Sequence, residues 1–177
     1  VLAMVNTEGT LVLLEAGNSI GGNQSVWVQP AGNGTVEVLG ITSPANTSGS
    51  IIRDAAGRDL GIAKFTGVKN IQVNFGDGSD QVIIGTLAPP NGIPFGSVSV
   101  NTEGGSGSTK DNDTVVVQNL LVNKQLDIRT GGGRDNITVQ NTEVRMTGAP
   151  NVFTLISGPD ATPSDTDQDT VLIDGVK

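Results

Sequence analysis

The chain has 177 residues, a formal net charge of −8 and a pI near 4.3. It contains neither Cys nor His, which excludes disulfide bonds, thiolate or imidazole metal ligands and catalytic triads of the Ser-His-Asp kind. The acidic balance predicts no nucleic-acid partner, and no apolar run is long enough to predict a membrane span. The 25 glycines and few aromatic residues are typical of short β-strands joined by tight turns.

Residues 1–64 predict degenerate β units. A strand at 11–13 leads through Gly21-Gly22 to a second strand at 24–28. The irregular stretch that follows predicts one further unit before the clearer pattern begins near residue 65.

An internal repeat becomes visible in the middle of the chain. Residues 71–84 and 126–139 align without a gap, and each reads as an alternating strand, a glycine-rich turn, an Asp and a second alternating strand. Two further copies have longer turns. The equivalent position is occupied by Asp80, Asp113, Asp135 and Asp169, with Gln24 in the degenerate first copy.

The repeat predicts a single domain over 1–177, because one unit cannot bury its apolar face alone and must stack on its neighbours. We therefore expect an all-β, right-handed parallel β-helix (a β-solenoid) of about six irregular coils. The coils are degenerate over 1–64 and clearer over 65–177. An antiparallel β-sandwich is the alternative, since it also consists of short alternating strands separated by turns.

The turn Gly76-Asp77-Gly78-Ser79-Asp80 resembles the glycine-rich nonapeptide of hemolysin-type (RTX) proteins, and Gly131-Gly132-Gly133-Arg134-Asp135 is similar. The larger unit, from Phe65 through the Gly-Asp turn, resembles the degenerate repeats of planctomycete-type and other bacterial surface proteins. In this chain the motif occurs once per unit, whereas RTX proteins repeat it in tandem. The resemblance implies an extracellular or cell-surface location, in a bacterium, and calcium bound at the turns.

Stacked carboxylates would repel one another, so a cation between them would be stabilising. The predicted calcium ligands are Asp77, Asp80, Asp111, Asp113, Asp135 and Asp169. The alternative is that these Asp side chains only accept hydrogen bonds from turn amides.

Trp27 is the only Trp and lies between Val26 and Val28. If the two Val side chains point inwards, alternation places Trp27 on the outer face, where it could bind a partner or stack on a sugar. The alternative is that a loop near 40–50 covers it.

Both ends of the sequence are apolar, and neither predicts the polar cap that a soluble repeat array usually carries. Uncapped strand edges pair with further strands, which favours head-to-tail stacking of subunits. The predicted self-contact residues are Val1, Leu2, Val5, Val171, Ile173 and Val176.

The sequence thus predicts a non-enzymatic extracellular protein that assembles with itself into a fibre or surface layer. One alternative is an adhesin or carbohydrate-binding repeat segment of a larger cell-surface protein, with a surface polysaccharide as partner. A polysaccharide lyase or hydrolase is the other alternative, although no pair of acidic residues stands out as catalytic.

Overall fold

The computed structural model describes residues 1–15, 22–32, 34–87, 94–103, 111–145, 152–157 and 169–176. Within these ranges the regular secondary structure consists of β-strands, which confirms the predicted all-β class. The strands form two seven-stranded sheets.

The first sheet contains β1 (Leu2–Val5), β2 (Thr10–Leu14), β6 (Asn70–Asn74), β8 (Phe95–Asn101), β10 (Leu121–Gly131), β12 (Glu143–Val144) and β13 (Val152–Ser157). The second sheet contains β3 (Ser25–Gly32), β4 (Thr35–Gly40), β5 (Ile62–Phe65), β7 (Gln81–Gly85), β9 (Thr114–Gln118), β11 (Asn136–Gln140) and β14 (Thr170–Asp174).

The prediction of a right-handed parallel β-helix of about six coils is wrong. The strands are divided between two sheets, and each sheet mixes parallel with antiparallel pairs. The reason lies in the first 65 residues, where three strand pairs are antiparallel: β1 with β2, β3 with β4, and β4 with β5. Tight turns join the first two pairs, whereas residues 41–61 connect β4 to β5. Gly9 and Gly32 provide the positive φ angles, 79° and 86°, that these turns require.

The antiparallel sandwich is not observed either, because most strand pairs are parallel.

From β6 to β11 the chain passes alternately from one sheet to the other. Each strand from β8 onwards in this stretch pairs in parallel with the strand two positions earlier. The register brings equivalent positions of the sequence repeat together: Ile71 pairs with Val98, and Val98 pairs with Leu126.

The core lies between the inner faces of the two sheets and forms one cluster of buried apolar side chains. Alternate residues of each strand point into it, as in Val82 and Ile84 of β7, which are both 0% exposed. Ile83 lies between them, points outwards and is half-buried. Each sheet therefore has an inner face in the core and an outer face towards the surface.

Candidate functional site

The four repeated aspartates lie at the N-terminal ends of neighbouring parallel strands in the second sheet. Each directly precedes one of the strands β7, β9, β11 and β14. Each Oδ1 accepts the backbone N–H of the equivalent residue in the preceding repeat. The pairs are Gln24 to Asp80 (2.6 Å), Asp80 to Asp113 (2.8 Å), Asp113 to Asp135 (2.9 Å) and Asp135 to Asp169 (3.0 Å). We call this chain of hydrogen bonds the aspartate ladder.

The aspartate ladder explains why these positions are acidic. A buried backbone N–H needs an acceptor, and a side-chain oxygen of the Asp in the next repeat provides one, whether the carboxyl group is ionised or protonated. Gln24 is the first position of the ladder, so its backbone N–H donates to Asp80 but no earlier ladder residue donates to its side chain. A carboxyl group is therefore not needed at this position. The Gln24 side chain instead donates to the carbonyl of Gly22 at 2.9 Å.

A second, parallel set of bonds runs through the residues that precede the ladder positions. Here the backbone N–H of the later residue donates to the side chain of the earlier one: Ser79 to Asn23 (2.8 Å), Asn112 to Ser79 (3.0 Å) and Arg134 to Asn112 (3.0 Å). Sequence reasoning missed this set. The signal available was an acceptor side chain directly before the repeated Asp, or Gln24, in the first three copies.

Burial changes the acidity of the ladder carboxyls. Asp80 is 2% exposed, and desolvation raises its pKa to about 9 despite the opposing hydrogen bond from the Gln24 N–H. The neighbouring carboxyls of Asp113, Glu15 and Asp111 raise this pKa further. Burial likewise raises the pKa of Asp113 to about 7, although the Thr102 hydroxyl donates to its Oδ2 at 2.7 Å. At neutral pH Asp80 is therefore a neutral acid.

The remaining predicted calcium ligands lie at the turns beside the ladder. Asp111 Oδ2 accepts the Gly78 N–H at 2.9 Å, and Asp77 Oδ1 is buried without a hydrogen bond. Asp169 lies at the far end of the ladder, next to β14. In the part of the chain that the structure describes, no three acidic side chains are arranged to hold a metal ion. In the ladder, each Asp accepts the backbone N–H of the equivalent position in another repeat, and calcium binding stays a prediction from the sequence.

Trp27 lies on the outer face of the second sheet, between the fully buried Val26 and Val28. It belongs to a row of side chains that pair across all seven strands. In spatial order the row is Ile62, Leu39, Trp27, Ile83, Val116, Thr138 and Leu172. At ~4.8 Å between strands this Trp27 row is about 29 Å long. Its two end residues are the most open, Ile62 at 55% and Leu172 at 50% exposure.

The indole ring is held in place within the row. Trp27 Nε1 donates to the carbonyl of Gly85 at 2.9 Å, which fixes the ring against strand β7. Gly85 has φ +131°, and a Cβ there would lie 1.8 Å from the carbonyl oxygen of Gln118, so no larger residue fits. The ring therefore has a defined orientation and a half-buried surface.

Uncharged polar side chains lie on both sides of the Trp27 row. One side carries the paired residues Gln81, Thr114, Asn136 and Thr170, and the other carries Gln118 and Gln140. Gln140 Nε2 donates to Gln118 Oε1 at 3.2 Å, which orders these two amides. Among the described strand residues of this face, charges appear only at its two ends, as the Lys64–Glu37 ion pair and Asp174.

The outer face of the first sheet is different. The row that occupies its centre begins with the apolar Met4 and Val12 and continues through the polar residues Gln72, Ser99, Asp127 and Thr154. Asp127 Oδ1 also lies 3.4 Å from Arg129 Nε, so from β6 to β13 this row is polar and charged, whereas the Trp27 row is mostly apolar. The two outer faces thus have separate chemical characters.

The predicted self-contact residues fall into two groups. Val1 is 5% exposed and its amino group donates to the Ile51 carbonyl at 2.7 Å, while Leu2 and Val5 are half-buried. At the other end, Val171 and Ile173 are 46% and 50% exposed. Val176 is half-buried against the core. The exposed apolar surface of this set is therefore concentrated on β14.

No protein-family model, curated protein or solved structure matched the chain in our comparisons. Among the described residues, the structure has no helix with the length and apolar character needed to cross a membrane.

Proposed function

We propose that this chain is a non-enzymatic cell-surface repeat segment that binds a neutral polysaccharide on the outer face of its second sheet. The observation that carries the proposal is the Trp27 row, an apolar strip with a fixed aromatic ring and amide-bearing rows on both sides. The cell-surface location rests on the resemblance to bacterial surface repeats.

The face has the two kinds of group that a sugar chain needs. A pyranose ring has an apolar C–H face, which an aromatic side chain such as Trp27 contacts favourably. Its hydroxyl groups both donate and accept hydrogen bonds, as the side chains of Gln118, Gln140 and Asn136 do. A row about 29 Å long would contact several sugar units of an extended chain.

Charge favours a neutral glycan over an acidic one. The protein has a net charge of −8, so it repels uronates and sulfated sugars at long range. Among the described strand residues of the binding face, the one cation is Lys64, which forms an ion pair with Glu37. The paired residues in the middle of the face therefore include no Lys or Arg to offset that repulsion. Neutral polymers carry no such cost.

The burial pattern supports this proposal more than head-to-tail self-assembly. Stacking of uncapped ends would need matching open edges on the first and last strands. At the first end, Val1, Ala3 and Ile52 are instead buried, and the backbone edge of β1 is paired with Arg53.

Intrinsic fluorescence tests the proposal directly, because Trp27 is the only Trp in the chain. We expect a saturable emission change on titration with a neutral polysaccharide from a panel of glucans, xylans and mannans, and no change with polygalacturonate. Affinity electrophoresis should show Trp27→Ala binding roughly tenfold more weakly, because the aromatic contact is lost.

Val12→Ala is the matched control. Val12 is a half-buried outward residue on the first sheet, so its truncation should leave binding unchanged. Wild-type affinity in Trp27→Ala, or no binding to any neutral polymer of the panel, would contradict the proposal.

A further inference from the structure

Two lines of inward-pointing residues run through the second sheet and end on β14. The first line is Val26, Val82, Val115, Ile137 and Val171, and the second is Val28, Ile84, Val117, Val139 and Ile173. Every member before β14 is 0% exposed, whereas Val171 and Ile173 are 46% and 50% exposed. Val171 and Ile173 thus occupy the next two core positions along the sheet, but their side chains are not buried.

The topology gives the reason. β14 is the edge strand of the second sheet, and within the described residues only β11 pairs with it. An edge strand presents backbone N–H and C=O groups in the geometry that accepts another strand. Here the backbone edge coincides with the exposed ends of both apolar lines.

The aspartate ladder gives this edge a direction and a sequence preference. Each ladder Asp accepts the N–H of the residue before it in the ladder, and Asp169 accepts that of Asp135. A strand added beyond β14 in the same register would place its own Asp against the Asp169 N–H. The residues two and four positions after that Asp would cover Val171 and Ile173, as Ile137 and Val139 follow Asp135.

We propose that the edge of β14 binds a parallel β-strand with the pattern Asp-Xaa-apolar-Xaa-apolar, supplied by another repeat unit of this kind. Such binding is strand addition, in which the backbone gives affinity and alternate side chains give specificity. The opposite edge strand of the same sheet, β5, reads Ile-Ala-Lys-Phe and has no such pattern, so it is a poor match for β14.

The test uses the full chain and a fluorescent peptide of residues 133–141, which contains Asp135 and strand β11. We expect saturable binding by fluorescence anisotropy. A peptide of identical composition, with Asn136 exchanged for Ile137 and Thr138 for Val139, puts the apolar residues on the wrong face and should bind roughly tenfold more weakly.

Two protein variants test the site itself. Ile173→Lys and Leu172→Lys alter neighbouring residues of equal exposure, 50% each, that point to opposite faces of β14. We expect peptide binding to fall roughly tenfold in Ile173→Lys, because a charge enters the apolar line, and to persist in Leu172→Lys. Val171→Lys provides a second variant on the same line, and far-ultraviolet circular dichroism verifies that each variant is folded.

Three results would overturn the inference. They are no peptide binding to the wild-type chain, equal binding of the exchanged peptide, or equal loss in the Leu172 and Ile173 variants. A fourth such result would be a concentration-dependent dimer that Ile173→Lys abolishes, because a second copy of this chain, and not a separate repeat unit, would then occupy the edge. Trp27→Ala should not alter peptide binding, which separates this inference from the proposed glycan face.

Discussion

The carboxylate of Asp113 accepts the backbone N–H of Asp80 at 2.8 Å, although 33 residues separate them in the chain. Asp80 in turn accepts the N–H of Gln24, so one residue is both donor and acceptor in the same ladder. A side chain that many proteins place in water therefore acts here as a structural link between repeats.

The first prediction concerns this link. Asp113→Ala removes the acceptor of a buried N–H, and we expect the free energy of unfolding to fall by about 2 kcal/mol. Urea denaturation monitored by circular dichroism measures the change.

Asp113→Asn is the control for that experiment. Its Oδ1 can still accept the Asp80 N–H, and its amide can donate to the Thr102 hydroxyl. We expect it to retain most of the stability that Asp113→Ala loses. An equally destabilised Asn variant would show that the charge, rather than the acceptor, matters.

The second prediction is a pH dependence of stability. The pKa of Asp80 rises from an ordinary 3.8 to about 9 in the folded protein. Between these values the folded state keeps a proton that the unfolded state has released, so the contribution of Asp80 to stability falls as pH rises. Asp113 acts in the same direction up to about pH 7. Urea denaturation between pH 5 and pH 9 should show stability decreasing along the series.

Asp80→Asn should flatten that decrease, because an amide does not titrate while its oxygen still accepts the Gln24 N–H. Asp54→Asn is the comparison, since hydrogen bonds from the Arg58 backbone and side chain lower the pKa of this exposed carboxyl. Asp54→Asn should leave the alkaline decrease unchanged. An Asp80→Asn profile as steep as that of the wild type would contradict the assignment.

The third prediction concerns the support of the indole ring. Gly85→Ala would place a Cβ against the Gln118 carbonyl in an unfavourable backbone conformation, and should destabilise the fold and shift the emission of Trp27. Gly57→Ala is the matched control, because Gly57 also has positive φ, +78°, but no atom within 4 Å of the added Cβ. It should cost about 1 kcal/mol and leave the emission unchanged.

The fourth prediction concerns the proposed glycan face. Thr138 is the only polar member of the Trp27 row and pairs with Val116 and Leu172. Thr138→Val should preserve polysaccharide binding, whereas Thr138→Asp places a charge in the strip and should weaken binding roughly tenfold. Affinity electrophoresis compares the two variants, and equal affinities would argue against this face.

Some of the architecture could be predicted from the sequence and some could not. The alternation around Val82 and Ile137 predicted strands with one buried face, and the structure has both. The reversals at Gly9 and Gly32 were missed, because a short strand followed by a glycine turn has the same local pattern whether the next strand joins the same sheet or another. Because of that ambiguity, the sequence was wrongly predicted to form a single parallel β-helix.

The candidate site, too, could be predicted from the sequence only in part. Alternation alone put Trp27 opposite Val26 and Val28, but the row it joins depends on strand register. Leu39 and Ile62 reach that row through antiparallel pairs, and Ile83 reaches it through a parallel one. No spacing rule in the sequence connects these residues.

The sequence by itself determined the all-β class, the repeat of glycine turn, Asp and strand, and the absence of thiol and imidazole chemistry. These properties follow from residue types and from periods of two, which are local. Only the tertiary structure decided that the aspartates bind backbone amides across repeats, that seven side chains align into one outer row, and that β14 is left at an edge. Those facts depend on which strands pair and in what register, because hydrogen bonding between distant segments places the side chains.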